Sequence, residues 1–313
     1  MRCLKPSPTF LLSALFCVAC PKAQPPLLIP TLPSDPPWML FLKKKGLSPL
    51  ASPGWESALL AYEFQEGCPL TYEASLKTEA SNTTNQQSTS LPNRQDGLAL
   101  FKIEPTKEGA LFSSAKSSLP FESAPGVWLD HFWVEDVKVP LAVSAQQLQS
   151  KSAPKAPWVD LINAPGASLF FPNLPGESTH LGQRWTAKQE TNSNPQLEPS
   201  QWMPWKTQEP TNYQAEALYS LYGERLVVIT AQWSKQGAWS KDPESPFYQA
   251  TENGLATYLW LADRGWPLLS EVFVTISLRT TELDKPEDFY SYTLIGRSIL
   301  TKSCAGLSLP PSR

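Results

Sequence analysis

Leu255-Ala256-Thr257-Tyr258-Leu259-Trp260-Leu261, then Asp263-Arg264-Gly265, then Leu268-Leu269-Ser270-Glu271-Val272-Phe273-Val274-Thr275-Ile276-Ser277-Leu278 decide the fold. Both apolar runs are rich in β-branched and aromatic residues, and the second alternates them with polar ones, the period-2 signature of half-buried strands. The three residues between the runs are turn chemistry, because glycine accepts the positive φ that a short hairpin requires. The stretch therefore reads as two long antiparallel strands.

Working outward, strands are expected at 215–222, 226–233 and 290–300 on either side of that hairpin. Toward the N-terminus the same pattern recurs at 62–64 and 70–76 around a Gly67 turn, at 98–103, more weakly at 110–115, and at 137–143, which Pro140 interrupts. Polar, unpatterned stretches at 82–90 and 191–212 read as a loop or hairpin tip and as a loop. Helices are expected to be few and short, with 146–150 and 287–290 as candidates. The fold class is mainly β, made of curved antiparallel sheets. A Ser/Lys/Pro patch at 150–157 divides the body into a β-rich first half, 55–150, and a second half, 158–303, followed by a tail at 304–313. The Gly-then-aromatic entries Gly67…Tyr72 and Gly182…Trp185 suggest that the halves are related and half-barrel-like.

The N-terminal segment fixes compartment rather than chemistry. Arg2 and Lys5 precede an apolar run from Phe10 to Ala19, and Cys17-Val18-Ala19-Cys20 closes it. A charged n-region, a short apolar h-region and a small-residue cleavage site make a secretory signal. The run is about half the ~20 residues that a spanning helix needs. Its ending resembles the lipobox of bacterial lipoproteins, although Cys17 stands where leucine is usual. That resemblance implies a signal peptide at 1–19, acylation of Cys20, and attachment to a membrane through the lipid. Pro21 in place of an aspartate leans toward the outer membrane. The alternative is a cleaved signal that releases a secreted or periplasmic protein. Nine prolines between 21 and 53 make 20–54 a semi-rigid tether. Within it, residues 36–42 are apolar enough to pack on the domain or lie at the lipid interface.

Removing 1–19 takes away Arg2 and Lys5 and moves the formal charge from −3 to −5. A mildly acidic chain without a basic block argues against nucleic acid as a partner. Lys43-Lys44-Lys45 is the one basic run. It is read as a solvated cluster, with contact to anionic head groups as the alternative. Beyond Cys20, the cysteines left after cleavage are Cys68 and Cys304. In an oxidising envelope they are a candidate disulfide, with two free thiols as the alternative.

Three short motifs resemble bacterial envelope β-proteins of unassigned function. They are Tyr62-Glu63-Phe64-Gln65-Glu66-Gly67 with Leu70 and Tyr72, Leu174-Pro175…Leu181-Gly182-Gln183-Arg184-Trp185, and Tyr258-Leu259-Trp260-Leu261…Asp263…Gly265. The resemblance covers roughly 58–300 and implies curved antiparallel sheets like the half-barrels of lipoprotein carriers. It transfers no catalytic residue.

Catalytic and metal motifs are missing from the sequence. His131 and His180 are the two histidines, and neither stands in a zinc or triad spacing. The first is read as a strand residue and the second as an exposed loop residue. Walker, dinucleotide and nucleophile-elbow motifs do not occur. Glu135/Asp136 and Asp242/Glu244 are acidic neighbours of the kind that solvated turns commonly carry. No cofactor or metal is expected. The aromatic content is more suggestive: of twelve tryptophans, Trp202, Trp205, Trp233 and Trp239 fall near polar loops. Such rings suit stacking on sugars or gripping an apolar ligand, or else plug the open end of a curved sheet. The expected function is a non-catalytic binding or scaffold module of the cell envelope, whose partner is an envelope protein, a glycan or a lipid. A carrier with a concave apolar face is the alternative, and a hydrolase the remote one.

Overall fold

The long strands of this protein run for eleven to seventeen residues, carry period-2 alternation over part of that length, and pair into one antiparallel meander. The computed structural model describes residues 35–51, 56–84, 87–90, 95–115, 138–150, 170–187, 205–208, 210–240, 247–281, 288–304, 306 and 309. In chain order the described elements are α1 (Pro37–Lys44), β1 (Leu50–Ala51), β2 (Ser57–Leu59), β3 (Leu70–Thr84), β4 (Gln87–Ser90), β5 (Gln95–Thr106), β6 (Gly109–Ala115), β7 (Lys138–Val143), β8 (Leu148–Ser150), β9 (Ser178–His180), β10 (Arg184–Ala187), β11 (Trp205–Gln208), β12 (Thr211–Leu221), β13 (Glu224–Ser240), β14 (Phe247–Leu261), β15 (Trp266–Thr281) and β16 (Asp288–Lys302).

The protein is mainly β, with curved antiparallel sheets that do not close into a barrel. The main sheet runs β1-β12-β13-β14-β15-β16-β3-β5-β6-β7-β8, with β4, β10 and β11 attached to it, while β2 and β9 form a separate pair. The last long strand, β16, pairs with the first, β3, from Asp288↔Thr84 to Lys302↔Thr71. Both halves of the sequence therefore contribute to one sheet. Cys68, just before β3, and Cys304, just after β16, are bonded to each other with Cα atoms 5.2 Å apart. The bond staples that seam, and Thr301 Oγ1 donates to Thr71 O across it at 3.1 Å.

Local chemistry explains the turns. Tyr222 and Gly223 both have positive φ (53° and 83°) between β12 and β13. This is the two-residue geometry whose twist matches a hairpin. The β14–β15 hairpin turns through Ala262–Gly265, where Arg264 and Gly265 N–H donate to Leu261 O at 3.1 and 2.9 Å. The two turns are cross-linked. Arg225 donates through its backbone N–H and Nε to Asp263 (2.6 and 2.7 Å), and Arg264 Nε reaches Glu224 at 2.8 and 2.9 Å. Burial raises the Asp263 carboxyl, but the bonds and charge from Arg225 outweigh it and hold the group below its ordinary value.

Several elements differ from the sequence expectation. Residues 37–44, inside the segment read as a tether, form α1. Pro37 sits at the first helical position, where its missing N–H costs nothing. Trp38 and Leu42, one turn apart, are buried, which decides that this segment packs on the domain. The two helix candidates are not helical: 148–150 is β8, and 288–290 opens β16. Of the 191–212 loop, 205–208 is β11 and 211–212 opens β12. His180 ends β9 opposite Ser57 rather than sitting in a loop, and it is exposed. Within the 82–90 stretch, β3 and β4 pair antiparallel, with Thr84 opposite Gln87.

Each face of the main sheet is covered differently near the β14–β15 turn. On the face called inner here, residues 170–174 lie as a plug whose backbone polar groups are met by side chains. Ser270 Oγ donates to Phe170 O (2.7 Å), Tyr62 Oη to Pro172 O (2.7 Å) and Trp185 Nε1 to Asn173 O (2.9 Å). Asn173 N–H donates to Tyr213 Oη at 3.4 Å. Buried backbone groups away from a ladder need such partners. Phe171 packs edge-on against Tyr72, Phe170 stacks on Phe101, and Tyr62 meets Trp260 edge-on at 5.0 Å. The outer face carries α1, with Trp38 edge-on to Tyr219 at 5.6 Å and Phe41 under the Arg297 guanidinium at 4.9 Å.

Candidate binding face

Beyond the plug the long strands continue, and the inner-face positions that follow are small, aliphatic or aromatic. The register defines successive rows. Tyr258, Ser270, Ser298 and Ala74 share one, and Ala256, Val272, Gly296 and Leu76 the next. Trp233, Gly254 and Val274 share the third. Trp233 is only 4% exposed. Its indole lies on Gly254, where an added Cβ would fall inside the ring. Its Nε1 donates to Glu252 Oε1 at 2.7 Å. A glycine in a strand interior marks such a close approach.

The predicted aromatics converge in part. Trp205 on β11 is the register partner of Gly237, Trp239 of Tyr248, and Trp233 of Gly254. Positions 233, 237 and 239 are separated by even numbers of residues along β13, so all fall on the inner face, and 205 joins them as the register partner of Gly237. Three of the four tryptophan positions singled out in the sequence therefore share one face toward the far end of the sheet. Trp233 itself is packed into that face rather than exposed. Trp202 lies outside the described residues, as do Cys20, His131, Glu135/Asp136 and Asp242/Glu244.

Two residues that sequence reasoning passed over sit where the plug ends. The hydroxyls of Tyr258 and Ser298 are buried with no hydrogen-bond partner, as are the indole N–H groups of Trp260 and Trp266. Native proteins satisfy nearly all such groups, so each one is informative. Burial pushes Tyr258 well above its ordinary value, with the neighbouring Tyr213 adding to it. The group therefore stays protonated near neutrality and can donate. Both hydroxyls are uncharged, and the face around them is apolar. Such a site suits a neutral acceptor oxygen, an ester or amide carbonyl, better than a carboxylate, because burying an unpaired charge is costly. The sequence signal for these positions was faint: a tyrosine and a serine in strands that also carry interior glycines, Gly254 and Gly296.

Among the described residues, no three His, Cys, Asp or Glu side chains come together to hold a metal ion. Among them, no helix is long and apolar enough to cross a membrane.

No family model and no curated protein matches the chain. Among solved structures, it is similar to Ail, the attachment invasion locus protein of Yersinia pestis, in complex with the heparin analogue sucrose octasulfate. Identity is 8%, over 75% of this chain and 100% of that one, with a TM-score of 0.15.

Proposed function

We propose that this chain is a lipid-anchored, non-catalytic binding protein of the bacterial cell envelope, which holds its ligand on the inner face beyond the plug. The observation that carries the reading is the gathering of positions 205, 233 and 239 on one face of the sheet. Two buried, unpartnered hydroxyls at the near end of that face, Tyr258 and Ser298, support it. Stacking from aromatic positions would supply contact area, and Tyr258 and Ser298 would orient a polar group of the ligand. A carrier that runs a ligand along the whole face is less favoured. Its lower half is already occupied by Tyr62, Phe170, Phe171 and Leu174, all buried. Acylation at Cys20 supplies the compartment, with the outer membrane favoured.

Two measurements test this. Titrating glycans, peptidoglycan fragments and lipids against intrinsic tryptophan fluorescence is expected to reveal one class that quenches saturably. Trp205→Ala with Trp239→Ala should abolish that signal while leaving the circular dichroism unchanged. Saturable binding that survives the double substitution would move the site elsewhere. Mass spectrometry of the native protein is expected to show a mature chain beginning at acylated Cys20; an N-terminus at Met1 would remove the anchor.

A further inference from the structure

The outer face holds an apolar row that the binding reading does not use. Leu255, Phe273 and Ile295 are 52%, 45% and 42% exposed. They stand on three adjacent strands as direct register partners, Leu255↔Phe273↔Ile295. Such neighbours form one contiguous patch rather than scattered exposed side chains, and exposed apolar patches mark interaction surfaces. The charges in the adjoining row neutralise each other, since Arg297 Nε donates to Glu271 Oε1 at 2.8 Å. On the other side the row is bordered by Asn253, Thr275 and Thr293.

The position of α1 bears on what could cover this patch. Phe41 lies under Arg297, so the helix occupies the same face one row away. Trp38 and Leu42 turn inward, while Leu40, 50% exposed, and Lys44, one turn later, share the opposite side. The segment that leads back to Cys20 enters α1 at its N-terminus. Fourteen residues lie between Cys20 and Asp35, which makes fifteen steps of chain. Even fully extended as polyproline they span only about 47 Å, and any slack brings the outer face toward the anchor. An apolar surface flanked by a helix with an outward leucine and an outward lysine, at the end of a lipid tether, has the composition of an interfacial contact.

We infer that the outer face is a docking surface for an anionic phospholipid bilayer, with Leu40, Leu255, Phe273 and Ile295 at the acyl boundary and Lys44 among the head groups. The body then lies on the membrane instead of standing off it. The proposal takes its orientation from the Cys20 anchor, but its test does not use the acyl group, so the two can fail separately.

Residues 21–313 contain every described element and can be made without the leader. This chain is expected to co-sediment with vesicles of phosphatidylethanolamine and phosphatidylglycerol, and more weakly with phosphatidylcholine vesicles. Phe273→Ser with Ile295→Ser, both at exposed positions, should weaken binding at least about tenfold, given the apolar area removed. Leu181→Ser, an exposed apolar position in the turn after β9, should leave it unchanged. Thermal unfolding of each variant confirms that it is folded. Absence of vesicle binding, or binding indifferent to the double substitution, would overturn the proposal. So would a dimer in sedimentation equilibrium that dissociates in the double variant without any vesicle binding, because the patch would then be covered by a second copy.

Discussion

Trp233 and Gly254 face each other across β13 and β14, and neither can change alone. A methyl group at 254 has no room while the indole is there, and the indole has its hydrogen bond to Glu252 only while it lies flat. Gly254→Ala is therefore expected to destabilise the protein by about 1–3 kcal/mol through overpacking. In a Trp233→Ala background the same methyl enters vacated space and should cost far less, a coupling of about 1 kcal/mol or more. Urea unfolding of the four proteins of the cycle measures it. An equal cost for Gly254→Ala in both backgrounds would mean that ring and glycine do not constrain each other.

At the scale of elements, the disulfide closes the seam where the N-terminal and C-terminal meanders meet. Its partners are 236 positions apart in sequence. In the chain-entropy model a loop of that length stabilises by about 5 kcal/mol. Replacing both cysteines by serine is expected to lower the unfolding midpoint in urea and to expose β3 and β16 to hydrogen exchange before β13 and β14. A midpoint unchanged by the substitution would show that the ladder alone secures the seam. This is also where the legibility of the sequence can be judged. The Leu255–Leu261 and Leu268–Leu278 runs announced their strands because one face of each is buried. The far ends of two neighbouring strands, Ser234–Ser240 on β13 and Phe247–Gly254 on β14, were missed because polar and small residues prevail there without an apolar stripe. Those stretches are held by pairing with each other, Ser234↔Asn253 through Ser240↔Phe247, which no local pattern reveals. Helix α1 was hidden for the opposite reason. Nine prolines nearby dominated the composition, while the Trp38–Leu42 spacing that buries one side is only a single turn long. The aromatic positions of the candidate face were legible as residues, but their meeting on one side depended on the β11–β13 register.

For the whole molecule, the β3–β16 seam joins into one sheet a sequence that reads as two halves, and this predicts a single cooperative unit. Four buried tyrosines report on this, two from each half: Tyr62 and Tyr72, Tyr213 and Tyr258. Burial pushes Tyr213 up to about 12 and raises the other three well above the ordinary tyrosine value. In the unfolded chain these groups titrate near 10. Below that pH both states keep their protons and the full stability is present. Above it the unfolded state releases protons that the native state retains, so stability falls as pH rises from about 10 toward 12 and beyond. Because all four rings surround one plug under one sheet, they are expected to ionise together, in a single step that coincides with loss of the far-ultraviolet β signal. The tyrosinate absorbance that appears in that step should include these four rings. Two separate alkaline steps, with two buried tyrosines released in each, would mean that the halves unfold independently and that the seam does not couple them.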